Sequence, residues 1–405
     1  MQKSTIAQEP VIDSVVVDTI RMADNPMVAR LDSMLQWTYK DHFCFTTDTA
    51  VLNFCNFDAG ECPEYSDDVM EQRMKFIDNM TPMDLDYNRV VQQFINMYTQ
   101  RRKRTSSRML GMSHKFFPIF EEMLDKHNLP LELKYLAIIE SALNPAAKSP
   151  AGAAGLWQFM IGTGREYGLE VNSYIDERLD PHKSTEAACL YLKYLHGLYD
   201  DWNLALAAYN SGPGNVNKAI RRAGGAKNFW AIRAYLPKET NGYVPAFIAV
   251  NYVMNYAGEH NLYPIEPDFS FFDLDTIVIN KELRFDQIAA FTDLTVEEIA
   301  YFNPCYTKGY IPANGSSQNL YLTVEAVGDF IANESKVYDY KKETKPTYDP
   351  KKEYAQKETT GKKGQNQITY KVRSGDVLGV IAENHNVGIS DLRRWNSIRG
   401  NKIYP

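Results

Sequence analysis

One glutamate, Glu140, is a candidate catalytic acid because it lies among apolar residues. The segment 131–143 follows Pro130, which favours a helix start, and precedes Asn144-Pro145, which ends a helix. Burial without a cation nearby raises the pKa of a carboxyl, so Glu140 is expected to stay protonated near neutral pH, as a general acid must. A buried Glu that pairs with an Arg or caps a helix is the alternative. The apolar residues on its stripe of the predicted helix are Leu133, Leu136, Ala137 and Leu143.

Other segments supply side chains that can bind a sugar. Small residues precede Gln158, whose amide both donates and accepts hydrogen bonds, and Tyr209 with Asn210 ends an apolar helix. Tyr243 opens Tyr-Val-Pro, a pattern typical of a helix start. Ser141 is expected to orient Glu140 by a hydrogen bond, because no His lies near it in sequence to activate it as a nucleophile. The candidate orienting or substrate-binding residues are Ser141, Gln158, Met160, Tyr209, Asn210 and Tyr243.

A hydrolase that acts through two carboxylates is a second interpretation. It needs a nucleophile or a water-activating base opposite the general acid. The best candidates are Asp176, Glu177 and Asp180, although their surroundings are typical of a polar loop and a helix start. A third interpretation is a binding protein without catalytic activity.

Composition excludes several classes of protein. The 405 residues are 44% hydrophobic and 23% charged, as in ordinary globular proteins of two or three domains. A formal net charge of -7 gives no overall basic surface for nucleic acid. The five cysteines lack the paired spacing of a zinc site, so neither a metal nor another cofactor is predicted. One local disulfide can form among the three nearby cysteines Cys44, Cys55 and Cys62 in an oxidising compartment.

The fold class predicted is mainly α, with small α+β modules toward the C-terminus. Helical spacing of apolar residues dominates residues 67–258, the residues before them are less periodic, and alternating residues follow. An internal repeat of strand, helix and helix places Ile288 and Asn303 in the positions of Ile381 and Asn396. The predicted divisions are a mostly helical region 1–114, an all-α block 115–262, a module 263–333, a disordered linker 334–367 and a truncated module 368–405.

Four motifs in order resemble the lytic transglycosylases with a soluble-type, lysozyme-like catalytic domain, and among them the membrane-bound D subclass with LysM repeats. Residues 116–258 carry the catalytic resemblance, 368–405 resembles a LysM module and 274–322 a degenerate one. Trp157 departs from the smaller apolar residue of many members, which affects the expected shape of one subsite. The matching motifs are Glu140-Ser141, Gly155-Leu156-Trp157-Gln158, Ala208-Tyr209-Asn210-Ser211-Gly212 and Tyr243-Val244-Pro245.

The resemblance implies cleavage of the β-1,4 bond between N-acetylmuramic acid and N-acetylglucosamine with formation of a 1,6-anhydro ring. Glu140 is expected to act as acid and then as base, while Tyr209, Asn210 or Gln158 holds the 2-acetamido group. In the last module, Ser374, Gly375, Asp376 and Asn396 are expected to bind glycan, with a tight turn and a helix cap as the alternative.

The resemblance also implies the partners and the location of the protein. Peptidoglycan glycan strands are the expected partner, and neither nucleic acid nor a membrane-spanning segment is predicted. A monomer is expected in the periplasm or cell envelope, exported with its leader absent from this sequence, with an outer-membrane lipoprotein as one form. The alternatives are a muramidase-type hydrolase on the same fold and a non-catalytic peptidoglycan-binding protein.

Overall fold

The chain divides into two compact units, Met1–Lys342 and Glu343–Pro405. The structure is a computed structural model. It describes residues 25–30, 44–46, 52–58, 60–267, 273–313, 315, 317–341, 370, 372, 381, 382, 385, 387, 389–396 and 398.

Helices make up most of the first unit through residue 260, as predicted, around one large apolar core. A short antiparallel pair, β1 (Cys44–Thr46) with β2 (Ile265–Pro267), joins its two ends. The helices are α1 (Asp67–Asp78), α2 (Arg89–Asn96), α3 (Lys103–Lys126), α4 (Leu136–Ser141), α5 (Ile161–Glu166), α6 (Pro181–Tyr199), α7 (Trp202–Ser211), α8 (Pro213–Arg222), α9 (Phe229–Ile232) and α10 (Lys238–Asn255). A π-helical turn covers Met97–Arg101, and 3-10 turns cover Leu131–Tyr135, Glu177–Leu179, Arg233–Tyr235 and Gly258–His260.

The predicted helix 131–143 is shorter and less regular than expected. Its first turn is the 3-10 segment Leu131–Tyr135, and only α4 is α-helical. Ala142 and Leu143 have φ angles of 51° and 61°, so the chain turns left-handed directly after Ser141. The change of direction places Glu140 in the last turn of the helix, next to open space instead of in mid-helix.

Pro245 does not mark a helix start, because α10 begins seven residues earlier and runs through it. A proline inside a helix removes the hydrogen bond that its N–H would donate to the carbonyl four residues before. That carbonyl belongs to Asn241, and it accepts from Nε of Arg233 at 3.0 Å instead. The side chain therefore offsets the lost backbone bond and keeps Tyr243 within a continuous helix.

Trp157, which departs from the residue of many family members, packs in the core and does not line the cavity beside α4. Its ring is fully buried against Phe120, with ring centroids 5.0 Å apart, and its Nε1 donates to Oγ1 of Thr185 at 2.9 Å. Burial of an aromatic side chain contributes roughly 1.5–3 kcal/mol to stability. Trp157 thus stabilises the segment that carries Gln158 without contributing to the cavity wall.

A βααβ module follows, as predicted. Strand β3 (Leu274–Ile279) pairs antiparallel with β6 (Gln318–Thr323), from Leu274 opposite Thr323 to Ile279 opposite Gln318. Its second core includes Ile288 and Ile299 of the predicted repeat. The remaining elements are β4 (Leu283–Arg284), which pairs with β5 (Tyr310–Ile311), and the helices α11 (Phe285–Ala289), α12 (Val296–Phe302) and α13 (Val324–Asp339).

Helix α13 extends into the segment 334–367 that the sequence indicates as a linker. Val337 is fully buried in the second core, and Nε2 of Gln287 lies 3.1 to 3.4 Å from the carbonyls of Val337, Tyr338 and Tyr340. These contacts order the start of the segment, so its boundary at Glu334 is corrected to Tyr340. In the second unit, α14 (Ile389–Asn396) is described.

The loop before α6 joins the helical block to the βααβ module. Ile175 packs in the second core, and the backbone N–H of Asp176 donates to the carbonyl of Cys305 at 2.8 Å. Two residues before Asp176, the carbonyl of Tyr174 accepts from the N–H of Thr307 at 3.0 Å. Among the described helices, none is long and apolar enough to cross a membrane.

Candidate active site

A cavity of about 560 Å³ opens beside the end of α4. Sequence motifs that are up to 70 residues apart meet there, because α4, α5 and α7 converge on it. Ser141 and Tyr243, by contrast, lie behind the wall and do not line it. The predicted site residues that do line it are Glu140, Gln158, Met160, Tyr209 and Asn210.

The carboxyl of Glu140 is held between a phenol and a guanidinium. The residue is only 3% exposed. Tyr243, which is fully buried on α10, donates its hydroxyl hydrogen to Oε1, and Nη2 of Arg30 donates to Oε2. Two helices and a segment 110 residues upstream therefore fix the position of one carboxyl group.

Burial raises the pKa of Glu140, as expected, but the surroundings contain a cation that the sequence did not indicate. Desolvation has the largest effect on the carboxyl, Arg30 and the Tyr243 hydroxyl oppose it, and the charge of Glu239 adds to it. The expectation of an acid without a nearby cation is therefore wrong, since Arg30 is in direct contact. Burial and the charge on Glu140 hold the pKa of Tyr243 well above its usual value, so the phenol stays a donor.

Ser141 does not orient Glu140. Its Oγ lies 3.0 Å from the carbonyl oxygen of Ala137 and 2.9 Å from that of Leu156. A serine in the last turn of a helix readily bonds the carbonyl four residues back, and here it also contacts the next segment. Its role is to fasten α4 to the chain before Gln158.

Gln158 and Tyr209 are fixed by backbone carbonyls. Nε2 of Gln158 donates to the carbonyls of Ala147 at 3.2 Å and Gly155 at 2.9 Å, which uses both amide hydrogens. The hydroxyl of Tyr209 donates to the carbonyl of Trp157 at 2.8 Å. Each side chain retains oxygen lone pairs, so both are better placed to accept hydrogen bonds from a ligand than to donate them.

A second carboxylate, Glu239, lines the same cavity and was missed by the sequence reasoning. Its side chain is 43% exposed, and its Oε1 accepts from Nη1 of Arg30 at 2.8 Å and from Nδ2 of Asn210 at 3.2 Å. Thr240 donates to Oδ1 of Asn210 at 2.7 Å. The available signal was spacing, because Glu239 lies four residues before Tyr243 and hence on the same face of α10.

The three acidic residues proposed for a two-carboxylate hydrolase have structural partners instead. Asp176 accepts two hydrogen bonds from Arg178, at 2.9 and 2.8 Å, and Glu177 forms an ion pair with Lys183. Asp180 caps α6 by accepting from the backbone N–H groups of residues 182 and 183 at 2.9 Å. None of the three is among the described residues that line the cavity.

Arg178 is the link between this acidic loop and the cavity wall. Its Nη1 donates to the carbonyls of Gly152 at 2.8 Å and Phe159 at 2.9 Å. Its own carbonyl approaches Gly155 so closely that a Cβ at that glycine would lie 1.7 Å from the oxygen. The small residues expected along a substrate cleft therefore also serve close packing of the wall against the loop.

In the described part of the chain, no three His, Cys, Asp or Glu residues cluster to hold a metal ion. In the C-terminal module, Ser374, Gly375 and Asp376 lie outside the described residues. Nδ2 of Asn396 donates to the carbonyl of Leu392 at 3.0 Å, as Nδ2 of Asn303 does to that of Ile299 at 2.9 Å. The matching bond in both copies of the repeat favours the capping alternative for Asn396.

Family comparison identifies the segments of the chain. Residues 117–231 match the transglycosylase SLT domain family, and this range contains Glu140, Gln158 and Tyr209. Residues 273–339 match the LysM-like domain of the lytic transglycosylase MltD, and 370–405 match the LysM domain. Three segments of the chain thus match an SLT domain and two LysM-type domains. The predicted resemblance and the mainly α, lysozyme-like fold class are thus confirmed.

Two similar proteins of Escherichia coli have lytic murein transglycosylase names. The membrane-bound lytic murein transglycosylase D of strain K12 is 32% identical over 287 residues, which are 69% of this chain and 59% of the relative. The chain therefore spans about three fifths of that relative's length. The soluble lytic murein transglycosylase of strain K12 is 33% identical over 123 residues, 29% of this chain and 19% of that protein. The solved 70 kDa soluble lytic transglycosylase of E. coli matches 35% of this chain and 24% of its own at 28% identity, with a TM-score of 0.31.

Proposed function

We propose that the protein is a peptidoglycan lytic transglycosylase in which Glu140 is the catalytic residue. The observation that carries the proposal is a buried carboxyl of raised pKa at the edge of a sugar-sized cavity, within the segment that matches the SLT domain. The names of the relatives point to murein as substrate. The bond to be cleaved is the β-1,4 link from N-acetylmuramic acid to N-acetylglucosamine.

The reaction needs one carboxyl group in two successive roles. Protonated Glu140 gives its proton to the glycosidic oxygen, and the bonding pair of the C1–O bond leaves with the N-acetylglucosamine O4. The resulting carboxylate then takes the proton of the muramoyl C6 hydroxyl, whose oxygen attacks C1 and closes the 1,6-anhydro ring. No water is consumed, and Glu140 ends protonated as it began.

The side chains around the cavity have matching roles. The Tyr243 hydroxyl stabilises the Glu140 carboxylate that forms halfway through the reaction, because hydrogen bonds to a charged group are the strong ones. Positive charge at C1 is met by the substrate's own 2-acetamido oxygen. Gln158 and Tyr209 orient that group by accepting from its N–H, and Asn210 donates the amide hydrogen that Glu239 does not take. Met160, 47% exposed on the rim, contacts the apolar face of a sugar ring.

Analysis of the products tests this function. Purified sacculi digested with the wild-type protein are expected to yield fragments that end in 1,6-anhydro-muramoyl groups, as measured by liquid chromatography and mass spectrometry. Glu140→Gln should release them at least about 10³-fold more slowly. Fragments with reducing ends would contradict transglycosylation, and undiminished release by Glu140→Gln would contradict the role of Glu140.

A muramidase-type hydrolase is the second candidate, and Glu239 is the observation that favours it. Two carboxylates that bind one guanidinium across a cavity resemble the paired acids of glycosidases. In that case Glu239→Gln would abolish release of reducing ends. The proposal above expects Glu239→Gln to keep the anhydro products, with a lower rate because an amide oxygen accepts the hydrogen bond of Asn210 more weakly than a carboxylate does.

The LysM-type domains are proposed to hold the enzyme on glycan strands in the cell envelope. Tethering through the segment after α13 raises the effective concentration of the catalytic domain on an insoluble polymer. Deletion of residues 351–405 should weaken retention on sacculi in a pulldown while turnover of soluble fragments persists. Unchanged retention would contradict this division of labour.

A further inference from the structure

A short stretch, residues 25–30, forms part of the wall of the catalytic cavity. Residues 26–30 are helical, and Pro26, Ala29 and Arg30 line the cavity on the side facing Glu140. The opposite side of the stretch, Met27 and Val28, is buried in the first core. One face is therefore anchored in the protein, while the other faces the cavity beside Glu140.

Asn25 fixes the stretch against the start of α10. Its Oδ1 accepts from the N–H of Met27 at 2.9 Å, which caps the turn, and it is itself buried. At Gly242 a Cβ would lie 3.1 Å from both amide atoms of Asn25, tighter than an ordinary contact. Because Gly242 has no side chain, Asn25 can pack against α10 directly before Tyr243. The stretch therefore lies beside the catalytic carboxyl.

The contact made by Arg30 works against acid catalysis. Its guanidinium donates to Glu140 and to Glu239 at once, and its side chain is only 19% exposed. The guanidinium favours the charged carboxylate and so lowers the pKa of Glu140 against the larger effect of burial. The groups that face Glu140 are Arg30, Tyr243, Glu239 and Tyr209, and of these only Arg30 brings a positive charge.

We propose that residues 25–30 are an intramolecular ligand of the catalytic cavity, in which Arg30 opposes protonation of Glu140 and narrows the cavity until a glycan strand displaces it. The inference rests on the proposed function. Displacement removes the cation from Glu140, so burial is left to favour the protonated form. Glycan entry and activation of the acid are then one event.

Arg30→Gln in the full chain tests the proposal, because it removes the charge and keeps a polar side chain. We expect a several-fold rise in kcat/KM on soluble glycan fragments and a shift of the basic limb of the pH profile to higher pH. The matched control is Arg284→Gln, which breaks an exposed ion pair in the βααβ module and should change neither. A fall in kcat/KM for Arg30→Gln would overturn the proposal, since Arg30 would then assist catalysis.

A second variant keeps the charge and weakens the anchor. Met27→Ser with Val28→Ser removes buried apolar groups while Arg30 stays, and it should raise kcat/KM as Arg30→Gln does. Hydrogen exchange measured by mass spectrometry should show that residues 25–30 of the wild-type chain lose protection when soluble peptidoglycan fragments are added. Protection that persists while the enzyme turns over these fragments would overturn the proposal. Failure of the proposed function is a different result, namely no anhydro products from any variant.

Discussion

Buried carboxylates occur in two regions of the catalytic domain, and the two regions use them differently. At the cavity, Glu140 is held by side chains from distant parts of the chain, namely Arg30 and Tyr243. In the loop before α6, Asp176 and Asp180 are bonded to neighbours within three residues. Burial of an acid is thus shared by the proposed catalytic residue and by residues with structural partners. What separates them is the cavity, since Glu140 lines it and Asp176 and Asp180 do not.

Replacement of the cavity acid has the largest expected effect on function. Glu140→Gln should reduce the rate of anhydro-product release by about 10³-fold or more, since a general acid or base typically contributes two to four orders of magnitude. The melting temperature measured by circular dichroism should stay at or above the wild-type value, because a neutral amide is easier to bury. Unfolding of this variant would show that Glu140 also has a structural role and would contradict the difference between the two regions.

Replacement of Arg178 in the acidic loop should lower stability, whereas replacement of Glu140 should lower activity. Arg178→Met leaves Asp176 buried without its cation and frees two carbonyls of the cavity wall, so the free energy of unfolding should fall by about 3–5 kcal/mol. Urea denaturation followed by circular dichroism measures this. Arg394→Gln, which breaks an exposed ion pair, should change stability by less than about 1 kcal/mol. Equal effects of the two variants would contradict a structural role for the loop.

Tyr243→Phe tests the donor that stays with Glu140 throughout the reaction. A hydrogen bond to a charged group contributes about 1.5–3 kcal/mol, so kcat should fall by about 10- to 100-fold. The Tyr243 hydroxyl lowers the pKa of Glu140, so its loss should move the basic limb of the pH profile to higher pH. Tyr194→Phe, at an exposed position, is the control. A basic limb that moves to lower pH would contradict the assignment.

The smallest effect is expected at Lys115, a buried base that can be compared with the buried acids. It lies 4.2 Å from the Tyr301 ring, and burial lowers its pKa to about 8. Between pH of about 8 and 10.5 the unfolded state binds more protons than the folded state, so wild-type stability should rise with pH. Lys115→Met should add about 2 kcal/mol to the free energy of unfolding at neutral pH and abolish that rise. Destabilisation would show that the aromatic contacts outweigh desolvation.

The motifs predicted the site best where its residues belong to regular elements. The apolar stripe of Glu140 and the helix ends at Tyr209 and Asn210 indicated residues that do line the cavity. Arg30 could not be predicted, because it lies 110 residues from its partner in a region without periodicity. The bend after Ser141 was also missed, since left-handed φ angles at Ala142 and Leu143 have no glycine to signal them. Long-range contacts and such turns depend on the assembled fold.

Digestion of sacculi in isotopically labelled water tests the central claim most directly. If Glu140 takes the proton of the C6 hydroxyl and water does not attack C1, the products of the wild-type enzyme end in 1,6-anhydro groups. These groups contain no heavy oxygen from the labelled water. Mass spectrometry of the muramoyl ends measures this. Heavy oxygen at C1 of reducing ends would show that water attacks the sugar and would contradict a lytic transglycosylase.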